Sequence, residues 1–264
     1  MSLLNRSIIE LKRAPYSLSI MQWNILADFI SNETGAPLEF TDWEIRAPKI
    51  VNEIAKWHAD VVCLQEVDHF YDYLLPELTK LGYTGVFQQK PEWHEDGLSV
   101  FYKSKKLQLV QEEVHWFQDT NQFAYNLKLK MNQKLFYVVC THLIAREEYE
   151  QTRICQAESL VNYISGLENI PLILCGDMNS CPGTLSFEVL RRSNLKNAYR
   201  ETDSYTVLRK NQGCVKCDTS DYIFYKGLEL GALLSLPSHC RMVAEGMPSQ
   251  DYPSDHLCLL AKFL

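Results

Sequence analysis

The sequence predicts a single α/β domain over residues 1–264, and three features indicate it. Several apolar runs of strand length end in a carboxylate, amide or imidazole side chain, as at residues 172–177. Stretches with apolar residues at helical spacing lie between these runs, for example residues 45–57. No internal repeat, low-complexity tract or linker interrupts the alternation. Alternating buried strands and amphipathic helices are typical of α/β proteins.

Composition and net charge limit the kinds of molecule that the protein is expected to bind. The chain is 46% hydrophobic and 22% charged, which is ordinary for a soluble globular protein. Its formal net charge is −7, so no global positive field is available to hold a long duplex by charge alone. The balance is compatible with an enzyme whose acidic residues hold metal ions and whose few basic residues line one groove.

The cysteines favour a reducing compartment. There are nine, an odd number, and Cys63, Cys140 and Cys175 lie inside apolar runs, as expected of reduced core thiols. Cys214 and Cys217 have the spacing of half a zinc site. Because no second pair of ligands at such spacing accompanies them, we do not predict zinc there.

The ends of the chain and its hydropathy bear on location. Residues 1–15 are mixed and charged, lack the apolar core of a signal peptide, and are expected to be loosely ordered. No apolar run approaches the ~20 residues that a membrane span needs. A cytoplasmic protein is therefore expected, with the nucleus or a mitochondrion left open.

The first predicted strand, residues 18–26, carries Asn24 near its end. A buried amide without a partner costs about 1–3 kcal/mol, so Asn24 is expected to be hydrogen-bonded or ligated. A helix is predicted to follow over residues 41–57, with Thr41 as N-cap and Glu44 completing a capping box. Pro48 is expected to kink this helix or to shift its start.

The second strand, residues 60–67, leads to Glu66. A carboxylate at the mouth of a buried strand is costly unless it is paired or bound to a metal. Magnesium takes one or two protein carboxylates and keeps its other positions for water and substrate, so Glu66 is a candidate ligand. Asp68 is predicted to cap the helix that follows, to about residue 81.

The middle of the chain is predicted to form antiparallel hairpins with short polar connections. The strands are residues 83–88, 98–103, 107–117, 122–130 and 134–140. The last of them reaches His142, which is either a core histidine or a site residue. Residues 147–166 are predicted to form a helix.

Residues 170–180 are the central stretch of the candidate site. Its apolar run delivers Asp177 and Asn179 on one side of an extended backbone, where they could hold and polarise a water. The alternative is an Asx turn after a strand. Farther on we predict a helix at residues 185–191, a loop at 199–217, and strands at 219–225 and 228–236. The chain closes with residues 252–260, in which Asp255 and His256 precede a final buried strand.

Polar groups at predicted strand ends form one candidate constellation. Its members are Asn24, Glu66, His142, Asp177, Asn179, Asp221, Asp255 and His256. Metal-assisted attack of water on a phosphate ester needs such a set. Carboxylates hold the cation, an acid–base group handles the water, and imidazoles stabilise charge on the phosphoryl oxygens.

Six ordered motifs make the chain resemble a known family. They are Met21-Gln-Trp-Asn24, Cys63-Leu-Gln-Glu-Val-Asp68, Thr141-His-Leu143, Cys175-Gly-Asp-Met-Asn179, Ser220-Asp-Tyr-Ile223 and Tyr252-Pro-Ser-Asp-His256. In this order they resemble the endonuclease/exonuclease/phosphatase superfamily, and within it the deadenylase-type branch. That branch includes the nocturnin-like and 2′,5′-phosphodiesterase-like proteins.

The resemblance implies a four-layer α/β/β/α sandwich of two stacked mixed β-sheets flanked by helices. It implies Mg²⁺, with Mn²⁺ as a substitute, held chiefly by Glu66 with Asn24 and Asp255 nearby. It further implies roles for the remaining members: Asp177 and Asn179 position the attacking water, His142 and His256 contact the scissile phosphate, and Asp221 orients His256.

The substrate is expected to contain adenosine and to be recognised by Lys90, Arg146 and Arg209. Nocturnin-like proteins have a lysine where this chain has Ile144, while Arg146 keeps their pattern. We therefore rank 3′-end exoribonuclease action on single-stranded RNA or poly(A) ahead of 2′-phosphate removal from an adenine dinucleotide, NADP(H). A non-catalytic nucleotide-binding module is the remaining alternative. Every position of the constellation is filled, which favours the enzyme.

Overall fold

The computed structural model describes residues 5–91, 94–118, 120–199, 205–211, 214–238 and 246–264. The first sheet contains β1 (Ile8–Glu10), β2 (Leu18–Asn24), β3 (Val61–Val67), β4 (Tyr83–Gln89), β5 (Gly97–Lys103), β14 (Leu230–Leu234) and β15 (Leu259–Phe263). Its strand order is β1-β14-β15-β2-β3-β5-β4. Only β2 and β3 run parallel among these neighbours.

The second sheet has the same mixed character. It contains β6 (Gln108–Trp116), β7 (Phe123–Met131), β8 (Lys134–His142), β9 (Leu172–Asp177), β10 (Lys196–Asn197) and β13 (Asp221–Lys226). The strand order is β10-β13-β9-β8-β7-β6, and β8 and β9 form its parallel pair. A separate hairpin joins β11 (Val207–Asn211) to β12 (Cys214–Asp218).

Helices cover the outer face of each sheet. They are α1 (Leu38–Thr41), α2 (Trp43–Trp57), α3 (Leu75–Lys80), α4 (Glu150–Gly166) and α5 (Leu185–Arg191). Helices α2 and α3 bury apolar side chains against the first sheet, and α4 and α5 do so against the second. Between the sheets, Ile20 and Cys63 of the first pack with Val138, Cys140 and Ile173 of the second. The four-layer α/β/β/α sandwich is therefore confirmed.

Two predicted helix caps are wrong. Asp42, not Thr41, caps α2, because its side chain accepts a hydrogen bond from the backbone N of Glu44 at 2.9 Å. Pro48 lies inside α2 without ending it. Asp68 does not cap the next helix; it accepts hydrogen bonds from the backbone nitrogens of the segment after β2, at 2.6 Å from Asp28.

Two stretches of backbone also differ from expectation. The N-terminal segment is not loosely ordered at residues 8–10, because β1 pairs with β14. The predicted loop at 199–217 contains the hairpin of β11 and most of β12, although residues 200–204 and 212–213 lie outside the described part. The final strand follows Asp255 and His256, as predicted, and begins at Leu259. None of the described helices is both long and apolar enough to cross a membrane.

Candidate active site

The parallel strand pairs of both sheets end at the same place. Asn24 pairs with Gln65 in the register of β2 and β3, and His142 pairs with Asp177 in that of β8 and β9. Asp221 opens β13 directly beside Asp177 in the antiparallel register of β13 and β9. The polar residues that follow the buried strands of the two sheets therefore face one another across the end of the sandwich.

Asp177 lies at the centre of this arrangement and is fully buried. Its Oδ2 accepts a hydrogen bond from Nδ2 of Asn24 at 3.1 Å and lies 3.6 Å from Nε2 of His142. The same oxygen is 3.7 Å from Nε2 of His256. Burial opposes ionisation, but the neighbouring His256, His142 and Arg209 lower the pKa of Asp177 to about 2. It is a carboxylate at neutral pH.

Carboxylates surround the imidazole of His256. Its Nδ1 lies 2.9 Å from Oδ2 of Asp221, and its Nε2 lies 3.9 Å from Oδ2 of Asp255. Burial alone would lower the pKa of His256, but Asp221, Asp255 and Asp177 raise it to about 10. His256 is therefore a cation, and its Nε2 faces the centre of the site.

His142 differs from His256 in its protonation. It is 7% exposed, and burial lowers its pKa even though Asp177 is nearby. Its Nδ1 has no hydrogen-bond partner among the described residues. A neutral imidazole beside a cationic one gives the site an acid–base group and a fixed positive charge.

A break in strand pairing presents Glu66 to the site. The register of β3 and β5 shifts between Leu64 and Val67, and Glu66 has a positive φ of 56°. Its Oε1 accepts from Nδ2 of Asn24 at 2.8 Å and its Oε2 from the backbone N of Ala27 at 3.1 Å. Burial opposes ionisation, but the neighbouring His142 and the Asn24 bond lower the pKa of Glu66.

The two amides act through hydrogen bonds in this structure. Asn24 offers its nitrogen to both carboxylates, while its Oδ1 accepts from the backbone N of Leu26 at 3.0 Å. Asn179 has a φ of 46°. Its backbone N donates to Oδ1 of Asp177 at 2.9 Å, and its Nδ2 donates to the carbonyl of Leu143 at 2.9 Å. Asn24 thus orients carboxylates, and Asn179 fixes Asp177.

Asp255 completes the acidic set. Its side chain is 7% exposed, and its Oδ2 lies 3.8 Å from Nε of Arg209. Burial raises its pKa, although His256 and Arg209 oppose this. Its other oxygen, Oδ1, is buried and has no hydrogen-bond partner in the described part of the chain.

The donor chemistry fits a hard divalent cation. Glu66 and Asp255 offer carboxylate oxygens, and the buried Oδ1 of Asp255 is an orphan atom of the kind that a cation satisfies. Single ligand atoms of Asp177, Asp221 and His256 also lie within 4.8 Å of one another. Because Asp221 and His256 are already hydrogen-bonded to each other, we favour Glu66 and Asp255 as the metal ligands.

A cleft of about 610 Å³ opens beside these residues. Glu66 and His142 line it, together with Lys90 and Arg146. Lys90 is 9% exposed and forms an ion pair with Asp96. Its charge is therefore largely neutralised, which weakens its assignment as a phosphate ligand.

The other two basic candidates differ from each other in their surroundings. Arg146 is exposed and, among the described residues, forms no ion pair. Its loop is held by Arg153, whose Nη1 donates to the carbonyls of Ile144 at 2.7 Å and Arg146 at 2.8 Å. The side chain of Arg209 is 45% exposed but lies beside Asp255, not on the cleft wall.

Sequence reasoning missed several buried polar residues that support the site. Nε2 of Gln22 donates to Gln65 at 2.7 Å and to Oδ1 of Asp221 at 3.0 Å. Oγ of Ser254 donates to the carbonyl of Asn24 at 2.7 Å and accepts from the backbone N of His256 at 3.0 Å. Glutamines inside apolar strands were the available signal, since a buried amide needs partners.

Comparison with known proteins gives a consistent result. The model of the Endonuclease/Exonuclease/phosphatase family matches residues 21–256. Nocturnin of Xenopus laevis is 33% identical over 94% of this chain and 73% of its own length. Human Nocturnin is also 33% identical, and the match spans 65% of its length. The chain therefore spans roughly two thirds to three quarters of these two relatives.

Solved structures agree with the fold. The human Nocturnin catalytic domain with bound sulfate superposes with a TM-score of 0.81 at 31% identity, over 98% of this chain and 97% of that chain. ANGEL2, described as a 2′,3′-cyclic phosphatase, superposes with a TM-score of 0.86 at 24% identity, over 99% of both chains. With its family motifs gathered at one end of the sandwich, the chain belongs to the endonuclease/exonuclease/phosphatase family and is similar to Nocturnin within it.

Proposed function

We propose that the chain is a divalent-metal-dependent phosphohydrolase acting on adenosine-containing nucleotides. The main support for this proposal is one buried oxygen, Oδ2 of Asp177, on which three side-chain nitrogens converge. It lies 3.1 Å from Nδ2 of Asn24, 3.6 Å from Nε2 of His142 and 3.7 Å from Nε2 of His256. A carboxylate, a neutral imidazole and a cationic imidazole in such proximity suit attack of water on a phosphate ester.

The residues divide the work by charge. Asp177, held by the backbone N of Asn179, accepts a hydrogen bond from the attacking water and takes its proton as the water oxygen bonds to phosphorus. The bond between phosphorus and the leaving ribose oxygen breaks, and that oxygen takes a proton from solvent. His256, kept cationic by Asp221, donates from Nε2 to a phosphoryl oxygen. His142 contacts the same phosphate from the second sheet. Glu66 and Asp255 would hold Mg²⁺, or Mn²⁺ in its place, and the bound cation would supply positive charge against the phosphoryl oxygens.

We rank 3′-end hydrolysis of single-stranded, adenosine-containing RNA first. The net charge of −7 and the sparse free cations of the cleft suit a short segment of polymer better than long-range tracking along phosphates. Removal of a 2′-phosphate from NADP(H) is the second candidate. Arg146, which lines the cleft and keeps the pattern of nocturnin-like proteins, supports it, whereas Ile144 stands where those proteins have a lysine.

A substrate panel with product analysis tests the proposal. Oligo(A), 2′,5′-oligoadenylate, NADPH and adenosine 2′,3′-cyclic phosphate are incubated with the wild type and with Asp177→Asn, with Mg²⁺, with Mn²⁺ and with a chelator. We expect oligo(A) to shorten only with metal and only in the wild type. Phosphate release from NADPH without shortening of oligo(A) would reverse the ranking. No turnover of any substrate by a folded wild type would favour the non-catalytic module.

A further inference from the structure

An exposed phenylalanine stands beside the catalytic cleft. Phe29 lines this cleft and is 52% exposed, and no aromatic ring of the described residues packs against it. A large apolar side chain in water gains free energy when a ligand covers it, at roughly 25 cal/mol per Å² of apolar surface. Phe29 is thus available to a bound molecule and unused by the mechanism above.

The backbone under this ring is rigidly anchored. Oδ2 of Asp68 accepts hydrogen bonds from the backbone N of Asp28 at 2.6 Å and of Phe29 at 3.4 Å. The carboxylate of Asp28 in turn lies 4.0 Å from Nη2 of the buried Arg46 and 3.8 Å from Nε2 of His69. A residue whose backbone is held before binding costs less to order when a ligand arrives.

This anchor is continuous with the catalytic residues. The backbone N of Ala27, two residues before Phe29, donates to Oε2 of Glu66 at 3.1 Å. The ring is therefore presented by the same turn that holds a predicted metal ligand. A short, hydrogen-bonded stretch of backbone thus joins Phe29 to Glu66.

The cleft wall around Phe29 is suited to a flat aromatic group. Ile30 belongs to the same segment, and Ile144 and Tyr149 follow β8 from the second sheet. Tyr149 is 41% exposed. The cleft therefore places polar catalytic residues beside an apolar and aromatic wall. This arrangement is complementary to a nucleotide, in which a phosphate and a flat base lie a few ångströms apart.

We propose that Phe29 is a specificity-determining residue that stacks on a nucleobase of the substrate, next to the phosphate under attack. The proposal rests on the phosphohydrolase function proposed above and names a contact within it. Base–aromatic stacking contributes about 1–3 kcal/mol per base, which corresponds to roughly a 5- to 150-fold effect on binding.

Kinetics on matched substrates test it. Phe29→Ala should lower kcat/KM on oligo(A) about tenfold or more, chiefly through KM, and Phe29→Trp should restore it. On an oligonucleotide whose 3′-terminal nucleotide is abasic, the wild type should lose a similar factor and Phe29→Ala should lose nothing more. Tyr71→Ala is the control, because Tyr71 is 71% exposed and lies outside the cleft lining. It should match the wild type.

A spectroscopic measurement separates this proposal from the proposed function. The probe is phosphorothioate-linked oligo(A) with 2-aminopurine at its 3′ end, whose fluorescence is quenched by stacking. Its fluorescence should fall when it binds to the wild type or to Phe29→Trp, but not when it binds to Phe29→Ala. Quenching without hydrolysis of ordinary oligo(A) by the wild type would support the stacking and sink the exoribonuclease proposal. The stacking proposal would be overturned if Phe29→Ala hydrolysed oligo(A) with the kcat/KM of the wild type. It would also be overturned if Phe29→Ala lowered kcat/KM by the same factor on base-bearing and abasic substrates.

Discussion

At the scale of single residues, Glu66 is the sharpest test of the metal site. In Glu66→Gln the shape is kept, but the negative charge is lost and an amide N–H₂ replaces an oxygen that accepts from Asn24 or Ala27. We expect turnover to fall about a hundredfold or more at saturating Mg²⁺. Steady-state assays check this, with circular dichroism as the control for folding. Near wild-type turnover would remove Glu66 from the site.

The pair of Asp221 and His256 is expected to act as a unit. Because Nδ1 of His256 lies 2.9 Å from Asp221, loss of either partner leaves the other misplaced. Asp221→Asn and His256→Ala should each lower kcat about a hundredfold, and the double variant should be little worse than either. A double-mutant cycle on kcat measures the coupling. Losses that multiply would show that the two residues act independently.

Much of the residue-level arrangement could be predicted from the sequence. A polar group at the end of an apolar strand is visible in the chain itself, and Asp177, His142 and Glu66 do lie together. Partners that depend on strand pairing were not predictable, because Gln22 reaches Asp221 across 199 positions of sequence. The individual roles in catalysis stay predictions.

At the scale of elements, Gly176 sets how closely β8 and β9 approach. A Cβ built there would lie 1.9 Å from the carbonyl oxygen of Thr141. Gly176→Ala must therefore push the two strands apart, and with them His142 and Asp177. We expect a loss of about 2 kcal/mol or more in the free energy of unfolding, and a fall in kcat.

The control for that prediction is Gly166→Ala at the end of α4. A Cβ built on Gly166 has no atom within 4 Å, so the free energy of unfolding should stay level or rise slightly. Chemical denaturation of both variants makes the comparison. Equal stability of the two alanine variants would contradict the close-contact argument.

Element boundaries show where pattern reading fails. The final strand was predicted to follow His256, but regular pairing begins only at Leu259, because the backbone groups before it bond irregularly. For example, the carbonyl of His256 accepts from Nε1 of Trp23 at 2.7 Å. Apolar content there reports burial and not strand pairing. The hairpin of β11 and β12 was hidden for the opposite reason, because its sequence is polar.

At the scale of the whole molecule, the charge distribution predicts weak salt dependence. Few cations of the described residues face the cleft, and Lys90 is already paired with Asp96. Binding of oligo(A) should therefore weaken with salt at a log–log slope of only about two to three. Fluorescence titration between low and moderate salt measures it, with Arg146→Ala expected to reduce the slope by about one. A slope of six or more would reveal an extended phosphate track.

The overall architecture was only partly predictable. Buried strands and helices indicate an α/β protein, but they do not tell which strands share a sheet. The division of the strands into two sheets was predicted only through the resemblance to a family, because pairings such as β15 with β2 join opposite ends of the chain. No local pattern encodes a contact of that kind.

That pairing has a consequence for how the protein is made. The second sheet comes from one continuous stretch between Gln108 and Lys226, so it can form while the ribosome is still translating. The centre of the first sheet cannot, since β15 is inserted between β14 and β2 and ends at Phe263. Asp255 and His256 immediately precede that strand. The first sheet can therefore close only after β15 has been translated, and we expect a chain truncated before Leu259 to leave Asp255 and His256 without the strand that positions them.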